Sequence, residues 1–219
     1  MANSAQLSKN NKNAQIWTNW GVNTERDFKT CIKEVVATLE TVYSNYIFEH
    51  QGSLSNQTVI ESYTKYNPGH VAKLNGSNGG SANPDGGIIY VTCNDGTKMP
   101  VFIGENKHQA DNLGNAIERS LKNITMFKGM LINEDYFPYL INVNGPIVNE
   151  RKGSLFDRIT QDGGFMSINT VYVKSNPKTP RLRPFTIVLD KNFDYDKVKN
   201  ISFEIIKESI DYLKNVNKL

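Results

Sequence analysis

An aspartate, a glutamate and a lysine stand in this chain at spacings that could hold a divalent cation against a phosphate. Asp85 lies in Asn83-Pro84-Asp85-Gly86-Gly87, and Glu105 and Lys107 lie in Gly104-Glu105-Asn106-Lys107-His108-Gln109. Two neighbouring carboxylates in a low-dielectric cleft repel each other unless a hard cation sits between them. Mg²⁺ takes a few oxygen ligands and keeps waters and phosphate oxygens for the rest. Such an ion lowers the pKa of water and offsets charge developing on a phosphate, which is phosphodiester hydrolysis, with Lys107 helping to activate the attacking water. A bland reading competes: Asp85 begins a strand after a turn, and Glu105 and Lys107 form an exposed ion pair at a strand end. PD and ExK are too short to decide between the two, and on their own they leave the bland reading ahead.

The intervening residues say how the three could meet. Ile88 to Thr92 and Met99 to Ile103 are β-branched and aromatic runs joined by Asn94-Asp95-Gly96, a hairpin signal. Asp85 and Glu105 are equally far from Asp95, so a hairpin folded about that turn brings the carboxylates side by side at its open end. Glu105 and Lys107 project from one face of their strand while Asn106 points away. A helix follows, with Ile117, Leu121, Ile124, Phe127 and Leu131 on one face. Asn115 suits its N-cap, and Glu118 completes a capping-box-like start. Alternatively Asn115, Glu118 and Arg119 point from the helix N-terminus into the DNA major groove, where Asn and Arg can meet adenine N7 and Glu can accept from adenine N6. Spacing favours the cap.

Taken in order, Pro84-Asp85-Gly86-Gly87-Ile88, Glu105 to Gln109, Gly114-Asn115-Ala116-Ile117-Glu118-Arg119-Ser120-Leu121-Lys122-Asn123 and Phe137-Pro138-Tyr139 resemble the EcoRI-like type II restriction endonucleases of the PD-(D/E)xK superfamily. A weaker match follows, from Leu155 to Thr160 and from Gly164 to Asn169, so the resemblance covers most of residues 83 to 170. It implies an α/β fold with a mixed central β-sheet flanked by helices. It implies Asp85 and Glu105 as metal-binding carboxylates for Mg²⁺, the backbone carbonyl of Asn106 as a further ligand, and Lys107 as the catalytic lysine. Asn115, Ala116, Glu118 and Arg119 are implied as adenine readers and Arg158 as a contact to the outer base pair; His108 and Lys122 are expected on the DNA backbone.

The implied activity is hydrolysis of both strands of a short palindromic DNA site, leaving 5'-phosphates. Members of the family share an AATT centre despite different outer pairs, so AATT is expected here, with GAATTC slightly favoured over AATT alone. Two staggered cuts in a palindrome imply a C2 homodimer. A cognate DNA methyltransferase belongs to such a system, with no direct contact implied. Only Ala110-Asp111-Asn112-Leu113 stand where the family's prototype carries a long DNA-embracing arm, and the residues just before Gly114 also differ.

The rest of the chain is compatible and less specific. Its 219 residues, 38% hydrophobic and 21% charged with net charge +3, suit a globular protein, and the mild basicity would not by itself suggest DNA. Residues 1–15 are polar and read as a mobile arm; residues 16–219 read as a single domain. Phe28, Ile32, Val35, Val36, Leu39, Val42 and Tyr43 recur at helical spacing from Thr24 to about Tyr46, and Val198 to Leu213 do so in a final helix from Asp196 to about Val216. Strands are expected at Tyr139 to Val143, Ile168 to Val173 and Pro184 to Leu189. Cys31 and Cys93 have no metal-like spacing, His50, His70 and His108 are scattered, and no apolar run reaches membrane-spanning length, so a cytoplasmic location is expected. A repair or structure-specific nuclease would keep Asp85, Glu105 and Lys107 without needing the Asn115, Glu118 and Arg119 set. A non-catalytic DNA-binding protein could dispense with the triad.

Overall fold

The computed structural model describes residues 4–54, 83–108, 123, 127, 136–145 and 185–219, with the side chains of 4–19 and of Phe185, Ile187 and Leu189 outside the description. A long helix, α1 (Ser4–Val42), leads into a short strand, β1 (Phe48–Gln51). A hairpin of β2 (Gly87–Thr92) and β3 (Lys98–His108) follows, then β4 (Tyr139–Asn144), β5 (Phe185–Asp190) and a closing helix, α2 (Tyr195–Asn215). The five strands lie in chain order in one sheet. β1, β2 and β3 pair antiparallel, while β3, β4 and β5 pair parallel, so the sheet is mixed.

Phe28, Cys31, Ile32, Val35 and Leu39 recur every three or four residues on α1 and are fully buried. They meet Val198, Ile205, Ile206, Ile210 and Leu213 of α2 over Ile89, Val91, Val101, Phe102, Leu140 and Val188 of the sheet. Val42, expected on this stripe, is instead 56% exposed, because the helix ends there and the chain turns at Tyr43 to Tyr46. α2 starts as its sequence suggests: the Asp194 side chain caps it by accepting from the Lys197 amide at 3.0 Å. α1, however, begins well before Thr24 and takes in residues 4–15, which were read as an arm. That stretch holds no Pro or Gly, and seven of its twelve residues are Ala, Gln, Lys or Leu against five Asn or Ser, so once the buried half of α1 is formed, extension costs little.

The hairpin departs from simple symmetry. Ile89 pairs with Phe102 but Tyr90 pairs with Pro100, so Val101 is an extra residue on β3. This bulge lets the consecutive Val101 and Phe102 both enter the core. It also shifts the pairing beyond it by one, so Asp85 falls opposite Asn106 rather than Glu105. At the other end, Gly96 at φ 80° and the Asp95 carboxylate, which accepts from the Thr97 amide at 2.9 Å, close the turn. β3 runs three residues past Glu105 because β4 supports it, with Glu105 opposite Ile141 and Lys107 opposite Val143. The strand expected at 168–173 lies outside the described residues.

Candidate active site at the open end of the hairpin

Asp85 sits in a tight turn before β2, closed by the Gly87 amide donating to the Pro84 carbonyl at 2.9 Å. Gly87 has φ 72°, and a Cβ on it would lie 2.5 Å from His50 Nε2 and 2.7 Å from the Gln51 carbonyl oxygen, so only glycine fits. His50, on β1, fastens the same turn by donating from Nε2 to the Gly86 carbonyl at 2.9 Å. The scatter of histidines along the sequence concealed this role, because β1 is a four-residue Phe-Glu-His-Gln strand with no clear alternation.

The turn aims Asp85 across the hairpin end. Its Oδ2 accepts from the Asn106 amide at 3.0 Å, and its own amide donates to Glu105 Oε2 at 3.3 Å. Lys107 Nζ donates to Glu105 Oε1 and stands 3.8 Å from Asp85 Oδ2. The three residues therefore converge, and Glu105 is 3% exposed, which replaces the bland picture of a solvated ion pair at a strand end. Burial raises the Glu105 carboxyl above its ordinary pKa, opposed by Lys107 and reinforced by the Asp85 charge. Asp85 is raised by burial as well, against the pull of Lys107 and of the Asn106 amide. A cleft of about 390 Å³ opens beside Asp85, bordered by His50 and by Glu25, Lys29 and Lys33 of α1.

The side chain of Asn106 leaves the opposite face, as the strand period requires, and accepts from Asn142 Nδ2 at 2.8 Å. A strand residue directs its N–H and C=O to the same edge. The Asn106 carbonyl therefore lies on the edge where its amide meets Asp85. Among the described residues no group of three or more His, Cys, Asp and Glu could hold a metal ion. The arrangement that remains is two carboxylates and one carbonyl, all hard oxygen donors, with an ammonium already against both carboxylates; this fits Mg²⁺, which needs few protein ligands.

His108 is not brought to this group. Its half-buried ring lies on the α1 side of β3, edge-on to Trp20 with ring centroids 4.5 Å apart, and burial lowers its pKa. Alternation puts His108 on the face opposite Glu105 and Lys107, where it packs against Trp20 of α1; its expected contact with the DNA backbone stays a proposal. Asn115, Ala116, Glu118, Arg119, Lys122 and Arg158 lie outside the described residues. A residue without an assigned role does join the site: Asn123, helical in backbone, donates from Nδ2 to Glu105 Oε1 at 2.6 Å.

Comparison with known proteins adds to this geometry. The family model described as restriction endonuclease EcoRI matches residues 11–218. The chain is similar to the type II restriction enzyme EcoRI of Escherichia coli, 30% identical over 133 residues, which are 52% of this chain and 48% of that protein. It is similar also to the type II restriction enzyme RsrI of Cereibacter sphaeroides, 27% identical over 138 residues, 52% of this chain and 50% of that one. The matched stretch thus spans about half the length of each of these relatives.

Proposed function

Because this chain belongs to the EcoRI restriction endonuclease family, we propose that it is a type II deoxyribonuclease that hydrolyses both strands of a short palindromic site centred on AATT. The observation that carries the proposal is the convergence of Asp85, Glu105 and Lys107 at the open end of one hairpin.

In this reading Asp85, Glu105 and the Asn106 carbonyl would hold Mg²⁺. When bound, the ion neutralises charge on the scissile phosphate and makes a water easier to deprotonate. Lys107, fixed against Glu105, orients the attacking water and stabilises the hydroxide as the proton leaves. The water oxygen forms a bond to phosphorus as its proton passes to solvent, and the bond to the 3'-oxygen breaks as that oxygen takes up a solvent proton, which leaves a 5'-phosphate and a 3'-hydroxyl. The two carboxylates are held by backbone and side-chain donors before substrate arrives, so little reorganisation accompanies the reaction.

Asn115, Ala116, Glu118 and Arg119 read the adenines, and Arg158 contacts the outer pair, with GAATTC slightly favoured over AATT alone. A C2 homodimer places one such site on each strand, and a cognate methyltransferase protects the host's own sites. No helix among the described residues is long and apolar enough to cross a membrane, and the reading places the enzyme with DNA in the cytoplasm.

Digestion of a plasmid carrying all sixteen NAATTN contexts, with Mg²⁺ and with end sequencing, tests the proposal. Cuts confined to AATT-containing sites are expected. Equal rates in every context would remove the six-base reading, and cuts at sites lacking AATT would remove the assignment.

A further inference from the structure

We propose that Asn123 is a positioning residue that sets the orientation of the carboxylate Glu105, an inference that rests on the nuclease reading of this site. Its carboxamide donates to Glu105 Oε1 at 2.6 Å, and Glu105 is 3% exposed. A short bond from an amide to a buried carboxylate is charge-assisted and geometrically demanding.

Asn123 and Phe127 both have helical backbone. Phe127 is 1% exposed and its ring centroid lies 5.7 Å from that of Tyr139. Tyr139 pairs with Ile103, two residues before Glu105 on β3.

The oxygens of Glu105 are used unequally. Oε1 receives both Lys107 Nζ and Asn123 Nδ2, while Oε2 receives the Asp85 amide at 3.3 Å. A carboxylate offers about four acceptor positions, so Oε2 keeps the freer lone pairs. Asn123 thus sets which oxygen faces the cation. In sequence it closes the segment Gly114–Asn123 and follows Arg119 by four residues.

The test uses the full chain with Asn123→Ala and with the isosteric Asn123→Asp. Binding to an AATT duplex in EDTA should stay within about twofold, because the reading contacts lie elsewhere. Single-turnover cleavage by Asn123→Ala should fall about ten- to hundredfold, the loss of one hydrogen bond to a charged group. Mg²⁺ affinity of the free protein, read by calorimetry, should weaken. Asn123→Asp should cut more slowly than Asn123→Ala, since it sets an anion against Glu105; a space-filling role predicts the reverse order. Asn123→Ser retains a donor and covers the case in which alanine loosens the fold, and it should outperform Asn123→Asp. If the unaltered chain cuts no AATT duplex, the nuclease reading falls and takes this inference with it. If the unaltered chain cuts and Asn123→Ala matches it in rate and Mg²⁺ affinity, or Asn123→Asp equals or exceeds the alanine and serine variants, only the role of Asn123 is overturned.

Discussion

The last residues of β3 present two unlike faces. One carries Glu105 and Lys107, gathered with Asp85 and Asn123. The other carries Asn106, whose amide lies in a neutral chain: Asn142 Nδ2 donates to Asn106 Oδ1 at 2.8 Å, Asn106 Nδ2 donates to Thr24 Oγ1 at 3.3 Å, and Thr24 Oγ1 donates to the Gly21 carbonyl at 3.0 Å. All three side chains are buried. On the charged face, burial raises both carboxyls, so the native protein holds those charges against their preference. The amide face has no such conflict; each member satisfies another, tying β4, β3 and α1 together. A backbone clamped from below can hold repelling groups together above, and charged groups remain free to exchange an ammonium for another cation.

Removing a charge from the first face should give the largest effect. Lys107→Ala should lower single-turnover cleavage by about 10²–10⁴, the range for losing a group that manages a proton in the transition state, with far-ultraviolet circular dichroism unchanged. Asp85→Asn should abolish Mg²⁺-dependent cleavage while AATT-duplex binding in EDTA persists. It keeps an acceptor for the Asn106 amide and removes a partly buried charge whose pKa is raised, so its melting temperature in EDTA should equal or exceed that of the unaltered protein. A large drop in that temperature would show the charges to be structural.

The core beneath the amide face comes next. Phe28 is fully buried, and its ring lies 2.5 Å from where a Cβ on Gly86 would sit and 3.0 Å from one on Gly104. It therefore fills the space those glycines leave, under the turn that bears Asp85. Phe28→Ala should cost about 3–5 kcal/mol in urea unfolding; a loss below about 1 kcal/mol would mean that the site's floor is not built on this contact.

Asn142→Leu should cost less, about 1–3 kcal/mol, because it strands the buried Asn106 oxygen without deleting apolar volume. Its cleavage rate, measured where the variant is fully folded, should fall far less than that of Lys107→Ala. Equal losses would erase the distinction between the faces.

What could be read from the sequence follows the range of each interaction. The hairpin, the shared face of Glu105 and Lys107 and the opposite bearing of Asn106 follow from a period of two and an Asn-Asp-Gly turn, all local. The bulge was hidden because Met99 to Ile103 is an ordinary β run, and Val101 stands out only when its partner strand is counted against it. Asn142 and Thr24 had no visible role, since parallel pairing with β4 and the docking of α1 bring them to Asn106 from distant parts of the chain. Asn123 was hidden within a helix start for which a capping box offered a sufficient account. The set proposed to read the bases, Asn115, Ala116, Glu118 and Arg119, was legible only through resemblance and lies outside the described residues.

The smallest predicted effect tests whether the two faces are separate. Thr24→Val and Asn142→Ala each break one end of the chain through Asn106. Once either is made, the Asn106 side chain can turn away, so the second change should find part of its interaction already lost. A double-mutant cycle in urea should then give a sub-additive coupling of about 1 kcal/mol, typical of residues in one hydrogen-bond network. The cycle between Asn142→Ala and Lys107→Ala crosses β3, where the two side chains share no partner, and should stay within about 0.5 kcal/mol of additivity. If the cross-face coupling matched that within the amide chain, the strand would be acting as one cooperative unit, and a neutral anchor distinct from a working face would no longer describe it.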